Sequence, residues 1–159
     1  MKENELKIYF AGPLFSEAER DWIRGVKRQI EEVANARGAD IALIWPYELI
    51  TREELEALGD SAKYEIHSRC RSHLENADLL IAVLDGTQVD DGTAWEIGYY
   101  YGLRRDHSRI IGVRTDFRNA GEAKNSIVNA MIECSCSSIA RSTAELLATI
   151  TARIFGVPL

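Results

Sequence analysis

The chain has 159 residues, 46% of them hydrophobic, enough to bury one sizeable core, and no linker-like stretch divides it, so residues 1–159 are expected to form a single domain. A formal net charge of −6, with 19 Lys and Arg against 25 Asp and Glu and no long basic run, speaks against a nucleic-acid polymer as partner. The opening MKENELKIYF lacks an apolar leader core, no stretch reaches membrane-spanning length, and Cys134 and Cys136 stand too close to pair, which together favour a cytoplasmic protein with no membrane partner.

Leu6 to Phe10 reads as a first strand, broken by Gly12-Pro13. Ser16-x-x-Glu19 is a capping box opening a helix that buries Trp22, Ile23, Val26, Ile30 and Val33 and stops at Gly38. Ile41 to Trp45 is a second strand ended by Pro46, and Thr51 to Leu58 a short helix before Gly59. A longer helix is expected from about Ser61 to Asn76. Leu79 to Leu84 is an apolar run without alternation, which predicts a central strand buried on both faces. Then come a helix from Thr93 to about Arg104, a strand from Arg109 to Arg114, a loop over 115–124, a helical segment around Asn125 to Glu133, and a weak strand near Ser137 to Arg141. Ser142-x-x-Glu145 opens the last helix. Strands alternating with helices at this spacing imply right-handed βαβ units: an α/β, doubly wound parallel sheet of about five strands with helices on both faces.

Several chemistries drop out on motif grounds. No G-x-G-x-x-G follows the first strand, and neither G-x-x-x-x-G-K-[ST] nor G-x-S-x-G occurs. His67 and His73 stand six apart on one predicted helix and therefore on different faces, with no C-x-x-C nearby, so no metal site is expected. No cofactor is implied.

What remains is LLIAVLDGTQVDDGTAWEIG, which sets Asp85, Asp90, Asp91 and Glu96 just past the carboxyl end of the central strand, where parallel sheets bind small molecules. Glu96 has a structural alternative, because Thr93-x-x-Glu96 is itself a capping box and a carboxylate in a first helical turn is favoured without any catalytic role. Against it stand the crowding of four acids, the bracketing Gly92 and Gly98, and Tyr9, whose strand ends at the same sheet edge. Acids in divergent environments separate into ionised and protonated members, the equipment of glycosidic bond chemistry.

IYFAGPLF at Ile8 to Phe15, ADLLIAVLDG at Ala77 to Gly86, DDGTAWEIGYYYG at Asp90 to Gly102, GVRTDF at Gly112 to Phe117 and Asn129-Ala-Met131 together resemble the nucleoside 2-deoxyribosyltransferase family, whose relatives include 2'-deoxynucleoside 5'-phosphate N-hydrolases. The resemblance implies a flavodoxin-like fold and small-molecule partners, deoxynucleosides and free nucleobases. It makes Glu96 the nucleophile that attacks C1' and forms a covalent glycosyl-enzyme, with the helix dipole expected to keep it ionised. Asp90 would handle the leaving base, with a loop-capping aspartate as its alternative, and Tyr9 would position the nucleophile. Gly12, Phe15, Asp85 and Gly92 fall in matching segments and are expected at the substrate. Asn129 is expected to complete a neighbouring subunit's site in a homodimer or higher homo-oligomer.

The chain departs from the family where Cys70 replaces an expected Asp or Asn, in the poorly matching segment Pro46 to Ile50, and in ending IFGVPL rather than in a tyrosine. The expected activity is deoxyribosyl transfer between bases. Hydrolysis of a nucleoside or its 5'-monophosphate, and non-catalytic nucleoside binding, are the alternatives.

Overall fold

The structure, a computed structural model, describes residues 5–156. The first residues of MKENELKIYF and the last three of the divergent IFGVPL end lie outside the described residues.

Five strands form one all-parallel sheet: β1 (Leu6–Ala11), β2 (Ile41–Ile44), β3 (Leu79–Val83), β4 (Ile110–Val113) and β5 (Ser138–Ala140), in the order β2-β1-β3-β4-β5. This is the flavodoxin-like order, whose ligand crevice lies at the carboxyl ends of β1 and β3, where the winding direction reverses. Tyr9 pairs with Leu80, and Ala11 with Ala82. The β1 and β3 carboxyl ends thus share one edge.

Among the described residues six α-helices flank the sheet, the last of them following β5: α1 (Glu17–Ala36), α2 (Arg52–Leu58), α3 (Ala62–Glu75), α4 (Asp91–Arg104), α5 (Ala130–Glu133) and α6 (Thr143–Phe155). Every residue of β3 is buried, as its unbroken apolar run predicts. The pleat sends Ile8, Phe10, Leu79, Ile81 and Val83 to one face, where Ile23, Val26 and Ile30 of α1 and Leu146 and Ile150 of α6 cover them. Tyr9, Ala11, Leu80, Ala82 and Leu84 point the other way, against Leu74 of α3 and Ile97 and Tyr100 of α4. Each large aliphatic side chain so buried contributes about 1.5–3 kcal/mol.

The α1 capping box forms as expected, with Glu19 N–H donating to Ser16 Oγ (3.2 Å) and Ser16 N–H to Glu19 Oε2 (2.7 Å). Its fully buried stripe runs Ile23, Val26, Ile30 and Ala34, with Trp22 only partly covered and Ala34 rather than Val33 closing it.

Two elements depart from the sequence expectation by more than a residue at one end. The helical segment expected over 125–133 shrinks to α5, because Asn125 takes a left-handed φ of 73° and Glu133 turns back to accept the N–H groups of Ile127 (2.7 Å) and Val128 (3.2 Å). Helix α4 begins at Asp91 rather than Thr93, a shift that changes the reading of the acids beside it.

Candidate active site

The loop from β3 to α4 is fixed from behind by Arg114, fully buried at the carboxyl end of β4. Its guanidinium donates to the carbonyls of Leu84, Gly86 (2.9 Å) and Arg118 (3.0 Å). Gly86 has a φ of 111°, and a Cβ there would sit 3.0 Å from the Gln88 carbonyl, so this turn needs glycine. From it the chain enters α4 at Asp90.

Asp90 is the N-cap of α4: its Oδ2 accepts from Thr93 N–H (2.9 Å) and Thr93 Oγ1–H (3.1 Å). The expected Thr93-x-x-Glu96 box is therefore not formed. Because the helix starts earlier, Glu96 is the sixth residue of α4, past the first turn where the dipole acts. Its side chain turns instead to β1, where the Tyr9 hydroxyl donates to Glu96 Oε1 at 2.6 Å. No donor among the described residues takes Oε2.

The expectation that the dipole holds Glu96 ionised is likewise corrected. Burial, the dominant influence, pushes its carboxyl from the ordinary 4.5 up to about 7; the Tyr9 hydrogen bond pulls down, and the Asp90 charge pushes up. Tyr9 is wholly buried, and desolvation together with the Glu96 charge drives its phenol far above the ordinary value. It stays a donor at any working pH. Cys70 lies against the same pair, its thiol raised chiefly by burial and in part by the Glu96 charge, with the bond to Tyr9 acting in the opposite direction.

Glu96 opens onto a cavity of about 680 Å³, within the range of small-ligand sites. Gly12, Phe15, Asp90 and Gly92 line it, as does Cys70. A Cβ on Gly12 would come within 2.7 Å of Val83 Cγ2, so glycine lets the β1 turn lie against β3 here. Asp85, in contrast, borders a separate cavity of about 270 Å³ with Trp22 and Val83. Its carboxylate is engaged by Thr115 Oγ1–H (2.6 Å) and Asp116 N–H (2.9 Å), tying the β3 and β4 ends together rather than facing the main cavity. Asn129 does not line the cavity either: it caps α5 through Met131 N–H (3.0 Å), and its amide donates to Glu122. His67 packs edge-on against Trp95 at 5.6 Å, and among the described residues no group of three or more His, Cys, Asp or Glu is arranged to hold a metal.

The poorly matching segment, where the resemblance implies base contacts without matching individual residues, forms one wall of the cavity. Pro46, Tyr47, Glu48, Ile50, Thr51 and Arg52 line the cavity, backed by Leu55 and Ile66. The available signal was positional: Pro46 ends β2 at the edge where ligands bind, and Thr51-x-x-Glu54 forms a capping box that opens α2 there.

In structure, the chain is similar to a conserved protein from Enterococcus faecalis V583, at 27% identity and a TM-score of 0.74 over 94% of this chain and 99% of that one. Two solved 2-deoxyribosyltransferases share the fold: one from Bacillus psychrosaccharolyticus (23% identity, TM-score 0.65, 89% of this chain and 90% of that one) and one from Leishmania mexicana (20%, 0.63, 94% and 99%). In sequence, an uncharacterized protein of Ureaplasma parvum serovar 3 is 28% identical over 143 residues, 83% of this chain and 86% of that one. The nucleoside 2-deoxyribosyltransferase family model matches residues 8–131, a span holding Tyr9, Asp90, Glu96 and Asn129, and the chain belongs to that family.

Proposed function

We propose that this chain transfers a 2-deoxyribosyl group from a deoxynucleoside to another nucleobase by two displacements at Glu96. The observation that carries the reading is a carboxylate with one oxygen pinned by a buried tyrosine, the other unclaimed among the described residues, at a cavity of nucleoside size. In the first step Glu96 Oε2 bonds to C1' as the C1'–N bond breaks, and the electron pair leaves on the base, which takes up the single proton that the Glu96–Asp90 pair holds, delivered from Asp90 while Glu96 is the ionised partner. In the second step an acceptor base attacks C1', the ester to Glu96 breaks, and the base N–H proton returns to Asp90. Both steps invert C1', so the β configuration is retained.

A neutral nucleoside suits the cavity better than a 5'-monophosphate. Asp90 and Glu96 border it, while Arg52 is drawn to Glu56 at 2.9 Å and Lys27 to Glu48 at 2.5 Å, so a phosphate would enter beside acids with the nearby cations already paired. Asn129, exposed and capping α5, is offered as a contact to the sugar in the neighbouring subunit of a homo-oligomer.

The deciding experiment incubates the protein with deoxyinosine, with and without adenine, and separates the products. Deoxyadenosine should dominate when adenine is present, because a bound base is held in attack geometry and water is not. Free deoxyribose as main product in excess adenine would replace transfer by hydrolysis, and no product at all would leave only binding. Labelling with a 2-fluoro-arabinosyl nucleoside should add one sugar mass at Glu96.

A further inference from the structure

The two aromatic residues of the cavity wall come from different parts of the chain: Phe15 from the turn after β1, and Tyr47 from the 3-10 turn Pro46–Glu48 after β2. Their rings are largely in the open, Phe15 at 74% and Tyr47 at 44% exposure. Exposed rings on mobile backbone would lose much of any stacking affinity to ordering entropy. Here both are anchored by the same helix.

The anchor is the face of α1 that carries Arg20, Arg24 and Lys27, spaced i, i+4, i+7. Lys27 pairs with Glu48, and the Arg24 guanidinium lies 5.9 Å from the Trp45 ring. Trp45 in turn packs on Tyr47 with centroids 4.8 Å apart. Arg20 does more than either. Its Nη1 donates to the carbonyls of Leu14 (2.9 Å) and Phe15 (2.8 Å), while its guanidinium lies 5.6 Å from the Tyr47 centroid. On the other side of the same peptide, Glu19 accepts the Phe15 N–H at 3.1 Å. The Phe15 backbone is thus held at both its donor and its acceptor by neighbouring residues of α1, and one guanidinium links it to the opposite aromatic wall.

We infer that Arg20 is a positioning residue that locks Phe15 and Tyr47 in one arrangement, and that this arrangement sets affinity for the flat, neutral nucleobase without Arg20 touching it. The inference rests on the reading of the cavity as a nucleobase site. It does not depend on the chemistry at Glu96: Arg20 is held by carbonyls and a ring, away from the Tyr9–Glu96 pair. A positioning role of this kind raises KM and Kd together and leaves kcat in place.

The experiment compares the wild type with Arg20→Met, Arg20→Lys and, as a control for loss of one positive charge on α1, Arg28→Met, whose guanidinium pairs among the described residues with Glu32 at 3.9 Å. Calorimetry measures adenine binding, and steady-state kinetics gives kcat and KM for deoxyinosine. Losing a charged hydrogen-bond donor to two carbonyls should raise both Kd and KM roughly tenfold in Arg20→Met, with kcat within about twofold and an unshifted pH–rate profile. Arg20→Lys, which keeps a cation on the ring, should recover part of the loss, and Arg28→Met should match the wild type. Unchanged adenine affinity in Arg20→Met, or a fall in kcat with a displaced pH profile, would overturn the inference. If the wild type binds adenine but turns nothing over, the transferase reading fails while Arg20 is still judged on Kd. If it neither binds nor turns over, both fall.

Discussion

Glu96→Gln should make the protein more stable as it destroys activity, and the gain should depend on pH. In the folded chain burial keeps the Glu96 proton on up to about pH 7, whereas the unfolded chain releases it from the ordinary 4.5. As pH rises through that window the unfolded state gives up its proton first, so the folded state loses stability progressively and then levels off above pH 7. At 1.36 kcal/mol for each tenfold in proton affinity, the gap between 4.5 and about 7 sets a ceiling of about 3 kcal/mol. Glu96 also faces the cavity, so solvent there discounts the effect to about 1–2 kcal/mol. Glutamine carries no charge, keeps an acceptor for the Tyr9 hydroxyl, and removes this penalty at every pH. Thermal melts of both proteins at one concentration should show the variant ahead by roughly 3–6 °C at pH 8 and by little near pH 4.5. A gain of equal size at both pH values, or a destabilised variant at pH 8, would show that Glu96 is not a carboxylate held against its solvation.

The same carboxyl should shape the kinetics: on the proposed mechanism kcat/KM falls as pH passes upward through about 7, because the pair of Glu96 and Asp90 then loses the one proton that the leaving base needs. Tyr9→Phe removes the hydrogen bond that favours the charged form of Glu96, so the limb near pH 7 should move to higher pH; an unmoved limb would detach Tyr9 from Glu96. Asp90→Asn retains a good N-cap, so melting should change by no more than about 0.5 kcal/mol, while turnover of deoxynucleosides falls on the order of a hundredfold and an activated nitrophenyl glycoside is largely spared. Equal losses on both substrates would assign Asp90 to capping alone. Mixing inactive Glu96→Ala with Asn129→Ala subunits should restore activity if one chain's Asn129 serves the other's Glu96, and an exchange-competent mixture that stays dead would refute the shared site.

The sheet was readable because its signals are local and redundant. Leu79–Val83 has no polar residue to alternate, and a strand of that kind fits only in the buried middle of a parallel sheet. Ser16 and Glu19 satisfy each other within four residues of chain, so the start of α1 needs no tertiary information. The start of α4 is different. Both Asp90 and Thr93 are competent caps, and local rules give Thr93 the added credit of a glutamate three residues on. What decides is Tyr9, 87 residues away in the chain, whose hydroxyl claims that glutamate. A contact of that separation leaves no periodic trace in either segment. The individual residues of the Pro46–Arg52 wall could not be assigned for a related reason: it is a 3-10 turn followed by a helix start, too short to carry a period, and it reaches the cavity because β2 lies beside β1.

The placement of Glu96 also separates the two explanations that its sequence neighbourhood allowed. A capping glutamate would lie in the first turn, exposed, ionised and stabilising. Glu96 lies beyond that turn, in contact with a buried tyrosine, near a second acid, with its proton affinity raised. Helix α4 does not need it there, because Asp90 already supplies the cap. The burial and raised proton affinity of Glu96, at a position the helix can complete without it, agree with the role proposed for it at the cavity. Asp90 is the reverse case: its Oδ2 is engaged in starting the helix, so in the proposed mechanism proton transfer would fall to Oδ1.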